Sequence, residues 1–286
     1  MTYSLPALPP PDAMARELRQ LLPQFRRVDW LEKTASTNAD LMENARTGSP
    51  GLARPWLLGV HLQERGRGRA GRTWQNRPGA NLMFSCAFDV FLPARRLPAL
   101  SPLAGIAACE ALRGFLSPEH RHRLTMKWPN DLQWDFAKLA GILVEATRSG
   151  TATLAPDHHV VIIGIGLNLD DARALSQALD RKVADWSEIA AEDPAARTAG
   201  MAQLVAAMVG NLERSLNHVT AHGFDGLPAR HALVDALSGK GVDIIDNGKI
   251  IRSGIAAGID GDGQLLVRTG MQEASVSVGE ISVRAQ

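Results

Sequence analysis

The chain has 286 residues, 45% hydrophobic and 21% charged, which is typical of a globular protein with a substantial core. Its formal net charge of +1 argues against a strongly basic nucleic-acid binder, so any positive site must be local. Residues 1–11 lack the basic-then-apolar order of a signal peptide. No apolar stretch approaches the ~20 residues that span a membrane, so we expect a cytoplasmic protein without membrane contact.

The first 220 residues predict alternating helices and buried strands. After a proline-rich start, a helix is expected near Met14–Leu22 and the first core strand near Arg27–Leu31. Asp40, three positions after Thr37, is typical of a helix N-terminus. Apolar runs predict the remaining elements: strands at 56–63, 81–91, 124–128, 139–146 and 160–169, a helix at 102–116, and a helical segment at 172–220 that Pro194 interrupts.

The composition changes after Leu237 to short β-rich runs: 242–245, 250–255, 265–267 and 274–278. Asn247-Gly248 and Asp262-Gly263 between them supply the positive-φ turns of tight hairpins. The pattern predicts an α+β protein with a small appended β-barrel. We expect one domain over 1–236, including an N-terminal arm over 1–27, and a second over 237–286.

Cysteine and histidine positions give no metal pattern. Cys86 and Cys109 lie in apolar runs, and we interpret them as buried thiols in a reducing compartment. We expect the histidines near the middle of the chain to lie on the surface: His120, His122, His158 and His159.

The strongest chemical signal is the segment 63–74, which reads Gln-Glu-Arg-Gly-Arg-Gly-Arg-Ala-Gly-Arg-Thr-Trp. Glycines let the backbone approach a ligand closely, and arginines bind phosphate or carboxylate through paired donors. The pattern predicts a site for a small polyanion. The alternative is a solvated, flexible basic loop.

The same glycines also fit the dinucleotide-binding spacing G-x-G-x-x-G, with Asp89 near the distance expected of a ribose-binding acid. That interpretation requires a helix directly after the loop to hold the pyrophosphate. The following residues, Gln75–Gly79, include Pro78 and will not begin a helix. Nicotinamide or flavin binding is therefore disfavoured.

With its flanking Gln63 and Trp74, the loop resembles the biotin-binding signature of biotin protein ligases. Four further segments match that family in order: 36–38 (Ser-Thr-Asn), 127–131 (Lys-Trp-Pro-Asn-Asp), 138–145 (Lys-Leu-Ala-Gly-Ile-Leu-Val-Glu) and 164–169 (Gly-Ile-Gly-Leu-Asn-Leu). The resemblance implies a mixed-sheet catalytic domain of the biotin/lipoate ligase type with a small C-terminal SH3-like β-barrel. It also implies the form without an N-terminal DNA-binding domain, because only about 27 residues precede the first core strand.

The activity implied by this resemblance has two steps. Biotin is activated with ATP and Mg²⁺ to biotinyl-5'-AMP, and the biotinyl group then passes to a lysine of the biotin carboxyl carrier protein of acetyl-CoA carboxylase. Both nucleophiles belong to substrates, so positioning and charge stabilisation suffice and no catalytic Ser, Cys or His is needed. Related enzymes can dimerise through sheet edges, and the sequence leaves a homodimer open. No DNA partner is expected.

The resemblance also assigns roles to individual residues. The biotin site would comprise Ser36, Thr37, Asn38, Gln63, Gly66, Arg67, Gly68, Arg69, Lys138 and Gly141. The ATP site would comprise Arg69, Arg72, Trp74, Lys127, Asn130 and Asn168. Lys138 and Arg69 would be catalytic, and Asp131 would face Mg²⁺, although an Asp after Pro-Asn also suits a turn.

Several alternatives stay open. Ser36 and Thr37 also suit helix capping, and Trp74 also suits core packing. At the level of function, the rivals are a lipoate–protein ligase, a nucleic-acid-binding regulator and a non-enzymatic biotin-binding module. We expect residues 65–75 to be mobile without ligand, because ordering a glycine-rich loop costs conformational entropy.

Overall fold

A seven-stranded mixed sheet forms the larger part of the molecule. The computed structural model describes residues 4–47, 53–149, 151, 155–246, 248–279 and 282–285. The strands are β1 (Arg27–Thr34), β2 (Trp56–Gln63), β3 (Asn81–Phe91), β4 (Leu124–Lys127), β5 (Asp131–Trp134), β6 (Ala137–Thr147) and β7 (His158–Asn168). Their order is β1-β2-β3-β7-β6-β5-β4, in which β1 and β2 are parallel and all other neighbours antiparallel.

Helices cover both faces of this sheet. They are α1 (Pro11–Leu21), α2 (Thr37–Thr47), α3 (Leu100–Arg113), α4 (Ala172–Leu179), α5 (Trp186–Glu192), α6 (Met201–His222) and α7 (Leu227–Ala232). The main core lies between one face and α1, α3 and α6. A smaller core, including Leu41, Trp56 and Ile162, lies under α2 on the opposite face. Within the described residues, no helix is both long and apolar enough to cross a membrane.

Most predicted elements of this domain are confirmed. The strands predicted at 56–63 and 81–91 coincide with β2 and β3, and α2 begins at Thr37. Cys86 and Cys109 are buried free thiols, and burial raises the pKa of Cys109 to about 12. The segment 172–220 is broken into α4, α5 and α6, and α5 ends two residues before Pro194.

The surface prediction for His158 and His159 is wrong. Both lie on β7 and are only 8% and 5% exposed, because β7 pairs along its length with β3. His158 Nε2 lies 2.7 Å from Asp89 Oδ1, and its ring stacks on Phe91 with ring centres 4.5 Å apart. Asp89 is thus engaged in an ion-pair cluster, at the opposite end of β3 from the Arg/Gly loop.

The tail forms a five-stranded antiparallel sheet, which confirms the small SH3-like domain implied by the resemblance. The sequence predicted four of its strands and missed the last. Its strands are β8 (Gly241–Asp246), β9 (Lys249–Ile259), β10 (Leu265–Thr269), β11 (Gln272–Val276) and β12 (Ser282–Ala285), in the order β11-β10-β9-β8-β12. The sheet packs against the larger part of the molecule. Trp128 Nε1 donates a 2.9 Å hydrogen bond to Gly263 O, and Arg96 pairs with Asp262.

Candidate active site

A cavity of about 580 Å³ opens on the α2 face of the large sheet, between the Arg/Gly loop, the β4–β5 turn and the middle of β6 and β7. Of the predicted site residues, it is lined by Ser36, Thr37, Asn38, Gln63, Arg67, Gly68, Arg69, Arg72, Trp74, Lys127, Asn130, Asp131, Lys138 and Gly141. The structure therefore brings together segments that are up to 105 residues apart in the sequence. Gly66 and Asn168 are the predicted residues outside this lining.

Gly66 lies within the loop, at the point where its two arms meet. Trp74 N donates to Gly66 O at 2.9 Å, and a Cβ atom on Gly66 would lie 2.7 Å from Trp74 O. Glycine here lets the two arms of the loop approach each other. No helix follows the loop over residues 72–80, whereas dinucleotide binding would require one there.

Asn168 lies behind the cavity wall and is only 3% exposed. Its Oδ1 accepts a hydrogen bond from Asn81 at 3.1 Å, while Nδ2 donates to Ala184 O at 3.1 Å and to Lys138 O at 3.3 Å. Asn168 therefore supports the backbone of Lys138 and reaches the cavity only through that residue.

A chain of polar side chains runs along one end of the cavity, at the N-terminus of α2. Gln63 Oε1 accepts from Thr37 N at 2.9 Å, and Thr37 Oγ1 lies 2.7 Å from Ser85 Oγ. Ser85 in turn donates to Asn38 Oδ1 at 2.5 Å, and Asn38 Nδ2 donates to Glu145 Oε2 at 2.9 Å. The chain presents amide and hydroxyl groups that can both donate and accept, which suits a neutral polar ring.

The floor of the cavity is made of glycines on adjacent strands, with Trp74 lying on them. Gly141 on β6 faces Gly166 on β7 in register. A Cβ on Gly166 would lie 2.5 Å from the indole of Trp74, and one on Gly141 would lie 2.9 Å from it. Glycine is therefore required at both positions for Trp74 to reach the sheet. Trp74 Nε1 is buried without a hydrogen-bond partner among the described residues.

The opposite end of the cavity is strongly cationic. Its lining includes Arg69, Arg72, Lys127, Lys138 and Arg181, and Asp131 is the only carboxylate among the described residues that line the cavity. Lys138 Nζ donates to Asp131 Oδ1 at 2.6 Å, and both side chains are largely buried. Such a concentration of cations with one counter-charge favours binding of a polyanion.

Burial lowers the pKa of two of these cations. For Lys127 the main cause is desolvation, which Asp131 opposes and which the nearby charges of Lys138 and Arg181 reinforce. For Arg69 the main cause is likewise desolvation. Because each cation is held in a partly dehydrated site among like charges, an incoming anion would relieve an unfavourable electrostatic arrangement.

Asn130 links the loop to the sheet, and Arg69 links the loop to the tail. Its Nδ2 donates to Ile142 O at 2.7 Å, and its Oδ1 accepts from Arg69 at 3.2 Å. Arg69 also donates to Gly279 O in the C-terminal part, and Val283 of β12 lines the cavity. The small C-terminal sheet thus contributes directly to the site.

Sequence reasoning missed several residues of this site. Glu145 and Gly166 lie inside motif segments that we had recognised, but they were given no role. Ser85, Arg181 and Val283 carry no local signal, because only the fold brings them to the cavity.

Asp131 is the one carboxylate near the cationic end of the cavity that could hold a metal ion, among the described lining residues. No group of three or more His, Cys, Asp or Glu side chains in the described part of the chain could hold a metal ion. A single carboxylate such as Asp131 could still contribute to a Mg²⁺ site, because Mg²⁺ is often held by one protein carboxylate together with phosphate oxygens and water.

A second, larger cavity of about 840 Å³ lies on the other side of the segment 181–184. It is lined by Arg123, Trp134, Glu188 and neighbouring residues, and Arg181 borders both cavities. Arg123 is paired there with Asp135 and Glu192. None of the predicted site residues lines this larger cavity, so the candidate binding residues are concentrated in the smaller one.

Comparison with known families gives two matches. Residues 30–168 match the model of the biotin/lipoate A/B protein ligase family, and residues 237–284 match the biotin protein ligase C-terminal domain. The first range contains every predicted site residue, and the second covers the small C-terminal sheet.

Individual relatives are similar over most of the chain. A biotin–acetyl-CoA-carboxylase ligase of Paracoccus denitrificans is 33% identical over 244 residues, which cover 83% of this chain and 92% of the relative. The bifunctional ligase/repressor BirA of Salmonella typhimurium is 31% identical over 227 residues, covering 79% of this chain and 66% of BirA. The chain therefore spans about two thirds of the length of that bifunctional relative.

A solved structure shows the same fold. The biotin protein ligase from Aquifex aeolicus in complex with biotin and ATP superposes with a TM-score of 0.70 at 24% identity, covering 92% of this chain and all of that one.

Proposed function

The chain belongs to the biotin protein ligase family, and we propose that it activates biotin with ATP and transfers the biotinyl group to a lysine of a biotin carboxyl carrier protein. The observation that carries this proposal is the arrangement of one cavity. A chain of neutral donors and acceptors lies at one end, and five cations with a single carboxylate lie at the other. Biotin has the matching pattern, with a neutral ureido ring at one end and a carboxylate at the other.

The polar chain favours biotin over lipoate. The ureido group has N–H donors and a carbonyl acceptor, which complement Thr37, Asn38 and Gln63. The dithiolane ring of lipoate has no comparable donors, so it would lie against this polar end of the cavity without forming the hydrogen bonds that biotin can form. A hydrogen bond contributes about 0.5–1.5 kcal/mol, so several of them together discriminate between the two acids.

In the first step, the biotin carboxylate attacks the α-phosphorus of ATP, and pyrophosphate leaves. Lys138 and Arg69 would bind the carboxylate and phosphate oxygens, on which negative charge accumulates in the transition state. Lys138 would exchange its contact with Asp131 for these oxygens. Asp131 is the carboxylate that would hold the Mg²⁺ of the nucleotide, which further neutralises the phosphates when bound.

In the second step, the amine of the acceptor lysine attacks the acyl carbon of biotinyl-AMP. An amide forms and AMP leaves with the electrons of the broken acyl–phosphate bond. Trp74 and Arg72 would lie beside the nucleotide, and the cationic cluster would stabilise the departing AMP. We further propose that residues 1–236 form the catalytic domain and that 237–286 form a C-terminal domain completing the site through Val283.

The direct test is transfer to an acceptor. The protein would be incubated with ATP, Mg²⁺ and a biotin carboxyl carrier domain, with either biotin or lipoate, and the acceptor mass measured. The proposal predicts the addition of one biotinyl group, only when both biotin and ATP are present. Modification of the acceptor with lipoate but not with biotin would instead support the lipoate ligase alternative. Biotin binding without modification or ATP turnover would support the non-enzymatic module.

A further inference from the structure

Glu145 occupies a position that the proposed reaction does not yet use. It lies on β6 outside the cavity lining, and its side chain is 22% exposed. Each of its two carboxylate oxygens has a different partner. Oε2 accepts from Asn38 Nδ2 at 2.9 Å, and Oε1 accepts from Arg67 at 2.8 Å.

These partners belong to two separate parts of the site. Asn38 is a member of the polar chain at the start of α2, and it also donates to Leu143 O at 3.4 Å. Arg67 lies in the Arg/Gly loop, 78 residues from Glu145 in the sequence. Glu145 is therefore a direct link between the loop and the polar chain.

The loop needs such a link, because its glycines make an ordered conformation entropically expensive. Backbone hydrogen bonds anchor the start of the loop, where Glu64 N donates to Thr34 O and Arg65 N donates to Ala35 O. At its cationic end, Arg69 contacts Asn130 and Trp74 packs on the sheet. Between these points, the ion pair with Glu145 connects the Arg67 side chain to Asn38 of the polar chain.

We infer that Glu145 is a positioning residue that holds the Arg/Gly loop closed over the neutral end of the substrate by pairing with Arg67, and orients Asn38 with its second oxygen. The inference rests on the proposed function and adds a residue to its substrate-binding step. Because Glu145 does not line the cavity, it acts through Arg67 and Asn38. Its loss should weaken biotin binding more than it slows the chemical step.

The test uses Glu145→Gln, which keeps an oxygen for Asn38 but removes the charge that pairs with Arg67. Glu145→Ala removes both contacts. The matched control is Glu273→Gln, another strand glutamate paired with an arginine, Arg268, at 3.3 Å in the C-terminal sheet. Each variant is measured by biotin-dependent pyrophosphate exchange and by thermal unfolding.

A second measurement reports on the loop itself. Arg65, Arg67, Arg69 and Arg72 make the loop a trypsin substrate, so its rate of cleavage in the absence of ligand measures how often it opens. Glu145 variants leave these cleavage sites intact. The fragments, identified by mass, distinguish cleavage here from cleavage elsewhere.

The inference predicts that Glu145→Gln raises the KM for biotin about 3–10-fold, with kcat changed by less than about twofold, and speeds loop cleavage by a similar factor. Saturating biotin and ATP should restore protection. Glu145→Ala should show a larger effect, and Glu273→Gln none.

The inference is overturned if Glu145→Gln matches the control in both KM and cleavage rate. It is also overturned if only Glu145→Ala is impaired and its loss tracks a lower melting temperature. Failure of the proposed function gives a different result, because the wild-type protein would then show no biotin-dependent exchange.

Discussion

The indole of Trp74 lies directly on Gly166, so close that a Cβ atom at that position would be 2.5 Å from the ring. The contact joins the Arg/Gly loop to the centre of the sheet, next to Gly141 in the neighbouring strand. Trp74 therefore packs on the protein, and it also lines the cavity proposed to hold the substrates. Its role beside the nucleotide stays a prediction.

Gly166→Ala should force Trp74 off the sheet and disturb the loop. A methyl group cannot fit where its contacts with Trp74 would be 2.5–2.8 Å, and a shift of about 1 Å in a substrate-positioning group can cost up to ~100-fold in rate. We expect kcat/KM for biotin to fall at least about tenfold in the exchange assay. Gly226→Ala is the control, since a Cβ there meets nothing within 4 Å. Equal activity of the two variants would contradict the packing argument.

Asp193 should contribute to acid stability. Its side chain is fully buried, which by itself raises the carboxyl pKa. Hydrogen bonds from Ser117, with His120 and Ala195, outweigh that effect and lower the pKa to about 2. Because the folded pKa lies below the unfolded value of about 3.8, this stabilisation is present above pH 4 and is lost as pH falls through 2.

Asp193→Asn should therefore lower the free energy of unfolding by at least about 2 kcal/mol at pH 7, with the difference vanishing near pH 2. Denaturant unfolding across this pH range measures it. Asp225→Asn, at an exposed position, is the control and should match the wild type. A pH-independent difference would show that Asp193 acts through packing rather than through its charge.

The contact between the two sheets should depend on Trp128. Its Nε1 donates to Gly263 O at 2.9 Å in a buried setting, so Trp128→Phe would leave that carbonyl without its donor. The free energy of unfolding should fall by about 1–3 kcal/mol beyond the loss of ring volume. Trp186→Phe controls for volume, because Trp186 Nε1 is buried without a hydrogen-bond partner among the described residues. If both variants lose the same stability, the hydrogen bond contributes nothing.

The sequence predicted elements well where one periodic pattern dominated. β2 and β3 were placed at their correct bounds because continuous apolar runs end at clear loop signals. Helix α1 was predicted three residues late, since prolines suggested an irregular start although Pro11 occupies the first turn. Strand β5 (Asp131–Trp134) was missed, because four residues after Pro129-Asn130 resemble a turn and their pairing with β4 and β6 is tertiary.

Prediction of the cavity-lining residues likewise succeeded for local patterns and failed for contacts between distant residues. The loop and Lys138, which line the cavity, could be predicted because their signals are local: glycines and arginines alternate, and a lysine precedes an apolar run. The contacts of Ser85 with Asn38 and of Glu145 with Arg67 join residues 47 and 78 positions apart. Such pairs depend on strand order, which no local pattern determines.

In the proposed reaction, Lys138 stabilises the charge that develops during adenylation of biotin. This role is measured by biotin-dependent exchange of labelled pyrophosphate into ATP by the wild type, Lys138→Ala and the exposed control Lys249→Ala. Wild type and control should exchange only with biotin present, and Lys138→Ala should lose at least about 100-fold of the rate. Wild-type exchange that lipoate supports and biotin does not, or full exchange by Lys138→Ala, would contradict the account.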